Sequence, residues 1–139
     1  MRIVVGVDAS EQAEVVVDKA IDLAQAFGAE LHAVHVFQPP FVYDLGAAID
    51  VPMIEEAESG AVWNRVGPLL DGATGIEVER VRLTGGPAQM LVRYAEEHDA
   101  DLIVVGNRGR GDFASLVLGS TSHGVIHAAG CDVVVVKTE

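Results

Sequence analysis

The chain has one cysteine, Cys131, which rules out an internal disulfide and any metal site built on several thiolates. It has no run of about eighteen uncharged apolar residues, so no membrane insertion is expected. The opening "MRIVVGVDAS" carries neither the long apolar stretch nor the small-residue cleavage site of a secretory signal. Together these absences lead us to expect a cytoplasmic protein in a reducing compartment. Basic side chains are scarce as well: 9 Lys and Arg stand against 21 Asp and Glu, for a formal net charge of −12. A field of that sign opposes a phosphate backbone and sets nucleic acid aside as a partner. No internal repeat or low-complexity tail is visible.

What is present is a chain of 139 residues, half of them hydrophobic. That length suits a single domain over residues 1–139, large enough to bury roughly 68–70% of its unfolded surface. Three apolar runs, "RIVVGVD" at 2–8, "DLIVVG" at 101–106 and "DVVVVK" at 132–137, read as strands covered on both faces. "ELHAVHVF" at 30–37 and "GIEVERVRL" at 75–83 are mixed, as expected of less covered strands. Between them, "SEQAEVVVDKAIDLAQAFG" stripes Ala13, Val16, Val17, Ala20, Ile21 and Ala24 on one helical face, with Ser10 as N-cap and a stop at Gly28. "PAQMLVRYAEEHDA" starts at Pro87 and stripes Met90, Leu91, Tyr94 and Ala95, and further helices are expected at about 53–71 and 120–129. Strict alternation of strand and helix argues for a parallel α/β sheet with helices on both faces. The irregular stretch "QPPFVYDLGAAIDVP" at 38–52 has prolines that end the second strand, and it reads as a lid, a dimer contact or a simple loop.

Five such strands commonly take the order 3-2-1-4-5, and ligands sit beyond the carboxyl ends where the winding reverses, here between the first strand and the fourth. The first ends at "GVDAS" and the fourth at "GNRGRG". Gly106, Gly109 and Gly111 are expected to adopt positive φ and to bring backbone N–H groups close to an anion. Gly119-Ser120-Thr121-Ser122 opens a helix whose N–H groups and dipole suit a phosphate, with three hydroxyls as further donors. Arg108 and Arg110 supply local positive charge. A carboxylate avoids phosphate, so Asp8 is placed near a ribose hydroxyl or an adenine amine, or on a bridging Mg²⁺.

Other motifs fit less well. Gly109-x-Gly111-x-x-Ala114 follows a strand, but the acid that a dinucleotide fingerprint requires would be Asp132, at the start of the last strand rather than the end of the next one. No Gly-Lys-Ser/Thr ends the glycine loop, and "RGD" at 110–112 is read as chance. Neither serine of the Gly119 turn sits in Gly-x-Ser-x-Gly, which argues against a hydrolase elbow. His123 and His127 are four apart, yet no H-E-x-x-H pattern supports a metal. His32 and His35 have odd spacing, face opposite sides of their strand, and are read as structural.

Gly106-x-x-Gly109, nine residues, then Gly119-Ser120 resembles the nucleotide-binding signature of the universal stress protein family, in its ATP-binding branch. "VVGVDAS", "LHAVHV", "GGPAQMLVRYAEEHDADLIVVGNRGRG" and "LGSTSHGVIHAAGCDVVVVK" carry the likeness across the whole chain. The resemblance implies a Rossmann-like, adenine nucleotide α-hydrolase-like fold, ATP or another adenine nucleotide such as AMP in the crevice with accompanying Mg, and a homodimer joined through the last strand. By the same resemblance, Gly6, Val7 and Asp8 border the nucleoside and Val36 meets the adenine through its backbone. Gly106 and Gly109 approach ribose and phosphates, Arg108 meets phosphate, and Gly119, Ser120, Thr121 and Ser122 hold the phosphate tail. Ala9 and Asp132 depart from the glycine and proline frequent in the family. No base aimed at a terminal phosphate is evident, so the expected role is regulatory, toward an unknown protein partner, with at most weak ATPase activity. The alternatives are an enzyme cleaving between α- and β-phosphates, whose "SGGxDS" loop is missing from "VDAS", or a nucleotide-independent interaction protein.

Overall fold

A computed structural model of the chain describes residues 1–40, 50–108 and 118–138. In chain order its elements are β1 (Arg2–Val7), α1 (Ala13–Phe27), β2 (Glu30–Phe37), α2 (Val51–Gly72), β3 (Val78–Thr84), α3 (Pro87–Glu97), β4 (Leu102–Gly106), α4 (Ser120–Ala128) and β5 (Asp132–Val136). The strands form one parallel sheet in the order β3-β2-β1-β4-β5, as the alternation predicts. Because strand side chains alternate, Ile3, Val5, Val7, Leu31, Ala33, Leu102 and Val104 face α1 and α2, whereas Val4, Val34, Val36, Ile103 and Val105 face α3 and α4. The two helix pairs thus lie on opposite faces, and the winding reverses between β1 and β4.

Local chemistry explains most boundaries. Gly28 takes a left-handed φ of 65° and returns its N–H to the Ala24 carbonyl, stopping α1 where expected. Asp50 caps α2 by accepting the Met53 N–H at 3.2 Å. Pro87 is pre-set for the first turn of α3.

Four expectations need correction. β5, expected to be covered on both faces, is an edge strand whose Val133, Val134 and Val135 are only half-buried. Ser10 is not the N-cap of α1: Asp8 Oδ1 accepts the Ser10 N–H at 2.9 Å, and this local turn delays the helix to Ala13. β3 starts at Val78 rather than residue 75, because Gly75 turns the chain with a φ of +76°. β2 is not thinly covered. It lies inside the sheet and is buried from Leu31 to Phe37, and its mixed pattern reflects two buried histidines that have partners. His32 Nδ1 lies 2.6 Å from the Tyr94 hydroxyl on the α3 face, and His35 Nε2 lies 3.0 Å from Glu58 on the α2 face, so the odd spacing separates them as expected.

Candidate functional site

Beyond the carboxyl ends of the strands lies a cleft of about 710 Å³. Gly6, Val7 and Asp8 border it at the end of β1, Val34, His35 and Val36 at β2, Gly106 and Arg108 at β4, and Gly119 to Ser122 at the start of α4. Every predicted site residue among the described ones therefore lines one cavity. Gly109, Arg110, Gly111 and Asp112 lie outside the described residues.

The β4 end of the cleft is organised by Asn107, which no sequence motif singles out. Its carbonyl accepts the Gly119 N–H at 2.7 Å, and its own N–H extends the β4–β5 ladder to the Val136 carbonyl. Its side-chain Oδ1 accepts both the Thr138 N–H, at 3.0 Å, and the Thr138 hydroxyl, at 2.9 Å. One buried amide residue thus ties the end of β4 to the cap of α4 and to the chain leaving β5. The available signal was its place at a strand end before a glycine-rich stretch. Asn107→Ala removes the acceptor of two donors and is expected to lower stability by about 1–2 kcal/mol in urea titrations; an unchanged midpoint would refute this anchoring role.

Gly119 caps α4 with no side-chain hydrogen bond to the first turn, and the first in-helix bond closes from His123 N–H to the Gly119 carbonyl. The N–H groups of Ser120, Thr121 and Ser122 have no acceptor one turn back in the helix, which is the condition that makes a helix start attractive to an anion. The hydroxyls are less uniform than expected. Ser122 is buried, and its Oγ donates to the Gly119 carbonyl at 3.1 Å, so its contribution at the cleft is its backbone N–H. Ser120 is exposed and Thr121 half-buried. Arg108 is the basic side chain among the described lining residues.

The glycines here have packing reasons. Gly106 is not among the positive-φ glycines, contrary to expectation, because it remains extended and paired within β4. A Cβ on it would stand 2.9 Å from Val16 Cγ2 and 3.2 Å from the Arg108 carbonyl oxygen. A Cβ on Gly6 would stand 2.8 Å from Leu91 Cδ1. Ala9 needs no left-handed conformation, so the turn after Asp8 works without the family's frequent glycine.

At the β2 end the structure adds residues that no sequence motif marks as part of a site. His35, Glu58, Gln38 and the Gly86–Gln89 start of α3 all border the cleft. Gly85, at a φ of +141°, donates its N–H to the Phe37 carbonyl and brings that helix start in against β2. His35 is 2% exposed, and burial pushes its imidazole below the usual histidine range, with Glu58 opposing the shift. The unfolded chain therefore takes up this proton at a higher pH than the folded chain, and stability falls as pH drops below about 6.5. Thermal midpoints between pH 7 and 5 are expected to decline with acidification, and His35→Asn should flatten that slope; an equal slope in both proteins would contradict the assignment. Glu30, held below the ordinary carboxyl range chiefly by its hydrogen bond from Arg2, loses its contribution only on falling below about pH 4.5, outside this window.

Fold and site define an open parallel α/β protein with a crevice, bordered by a helix start, at the point where its winding reverses. Comparison with known proteins narrows this. Residues 1–137 match the universal stress protein family, to which the chain belongs. Universal stress protein Rv2005c of Mycobacterium tuberculosis is 32% identical over 97% of this chain, which spans 45% of that longer relative. A universal stress protein of Thermus aquaticus is 35% identical over 97% of both chains. Among solved structures, universal stress protein UspA of Lactobacillus plantarum shares the fold, with a TM-score of 0.87 over 98% of this chain and 97% of its own at 24% identity. A universal stress protein in complex with cAMP is 27% identical, with a TM-score of 0.73 over 100% of this chain and 98% of its own. One from Archaeoglobus fulgidus in complex with dAMP is 27% identical, with a TM-score of 0.71 over 97% and 96%.

Proposed function

We propose that this chain is an adenine-nucleotide-binding universal stress protein whose occupancy regulates a partner, with little or slow hydrolysis of what it binds. One observation carries the reading: a cleft joins the β1 turn, the end of β2 and the uncapped start of α4 in a single cavity. The family's cAMP and dAMP complexes support an adenine nucleotide as the occupant. In this reading the α4 start and Arg108 take phosphate, Val36 and its neighbours meet the base, and Asp8 borders the nucleoside or the Mg²⁺ that accompanies ATP. Asp8 fits that role because it is a carboxylate on the cleft wall, oriented by the Ser10 N–H. Residues 1–139 act as one domain. Homodimerisation through β5 is supported by its outer edge, where Val133, Val134 and Val135 are only half-buried. Cytoplasmic residence accords with the family and with the described helices, none of which is long and apolar enough to cross a membrane.

Mass spectrometry of ligand released from gently purified protein tests the reading. An adenine nucleotide in near-stoichiometric amount is expected. Purified protein that carries none and gives no heat with ATP or AMP would overturn it.

A further inference from the structure

The cleft holds a second device at its β2 end. Glu58, on α2, is 26% exposed at its side chain and borders the cavity, with its Oε2 3.0 Å from His35 Nε2. His35 is fixed from the other side by the Ser59 hydroxyl, 3.4 Å from Nδ1, and by the edge of the Trp63 ring at a centroid distance of 6.5 Å. Burial disfavours the imidazolium. A carboxylate oxygen accepts, so Nε2 carries the proton donated to Glu58, and Nδ1 is left to accept from the Ser59 hydroxyl, which orients the carboxylate through a buried relay. Asp8 at the end of β1 and Arg82 on β3 are the other charged groups whose fields reach His35.

The position of this device in the sheet limits what it meets. β2 and β4 lie on either side of β1. At the usual strand spacing their ends are therefore about 10 Å apart. A nucleotide with its phosphates on the α4 start lies across β1, with its sugar near Asp8 and its base at β2. An ionised carboxylate there only accepts hydrogen bonds. It favours a base edge bearing an amino group and opposes one bearing a keto oxygen, which would set acceptor against acceptor.

We infer that Glu58, positioned by His35, determines base specificity in this cleft by accepting a hydrogen bond from the exocyclic amino group of an adenine-type base. This rests on the nucleotide reading above and extends it to residues of α2 and β2.

The test measures AMP, IMP and dAMP binding by calorimetry to the full chain and to Glu58→Gln, a near-isosteric change at a partly exposed site, with circular dichroism and thermal midpoints confirming the fold. The unaltered chain is expected to prefer AMP over IMP by about tenfold or more. Glu58→Gln, whose amide both donates and accepts, should bring that ratio within about threefold. The dAMP affinity should follow AMP in both proteins. His35→Asn, as a loss of positioning, should reduce the AMP/IMP ratio while leaving AMP/dAMP unchanged. An AMP/IMP ratio that survives Glu58→Gln, an equal loss for all three ligands, or a selective change in dAMP would overturn the assignment. Absence of AMP binding to the unaltered chain would instead overturn the nucleotide reading and the assignment with it, so the two failures are distinct.

Discussion

Gly119→Val is expected to weaken adenine-nucleotide binding about a hundredfold or more while leaving the fold in place. The backbone tolerates the change, since Gly119 sits at φ −71° and ψ 169°, extended geometry that any residue adopts. Its N–H bond to the Asn107 carbonyl is a main-chain contact that survives the substitution. The side chain is what matters. Gly119 is buried on the cleft wall just before the N–H groups of Ser120, Thr121 and Ser122, and a β-branched side chain there is expected to occupy the approach to them. Hydrogen bonds to a charged group contribute about 1.5–3 kcal/mol each, so losing two of them accounts for the expected factor. Calorimetry with ATP and AMP reads the loss, and a urea midpoint close to that of the parent shows that the fold persists. Undiminished affinity in a folded Gly119→Val protein would remove the α4 start from the site.

Gly124→Ala is expected to destabilise the protein by about 1–3 kcal/mol, against the helix-propensity trend. In an exposed helix interior the same change gains roughly 1 kcal/mol. Here the new Cβ would stand 2.7 Å from Ala88 Cβ on α3, whereas carbon contacts settle near 3.5–4.0 Å. Neither group can rotate away, so α3 and α4 must part. Both helices begin at the cleft, and their separation is expected to lower nucleotide affinity as well. Gly60→Ala is the control: it lies in α2 with nothing within 4 Å of its built Cβ, and should be stabilising by about 0.5–1 kcal/mol. Denaturant titration of the two variants should give opposite signs. A stabilised Gly124→Ala would mean that the α3–α4 approach is looser than described.

Much of the architecture was legible because it is encoded locally. Alternation of apolar runs with 3.6-residue stripes specified the element types, and the strand-order rule placed "GVDAS" and "GNRGRG" together at the reversal, where the cleft lies. The differences have separate causes: distant partners, a competing local turn and close packing. His32 and His35 made β2 look thinly covered, although Tyr94 and Glu58, 62 and 23 residues away, satisfy them inside the molecule. Ser10 looked like a cap because nothing nearby shows that Asp8 claims its N–H. Gly106 looked like a turn glycine, but its reason for being glycine is the Val16 side chain of α1.

The order and type of the elements, the parallel sheet, the place of the crevice and the helix start that faces it follow from the amino-acid pattern alone, because each depends on periodicity and on residues close together in the chain. It took the assembled fold to show that Asn107 joins β4, α4 and the exit from β5, that Ser122 turns its hydroxyl to backbone carbonyls, and that Glu58 stands beside His35 at the β2 end of the cleft. Those pairings follow from which side chains are brought together when both faces of the sheet are covered, and no spacing along the chain encodes that proximity.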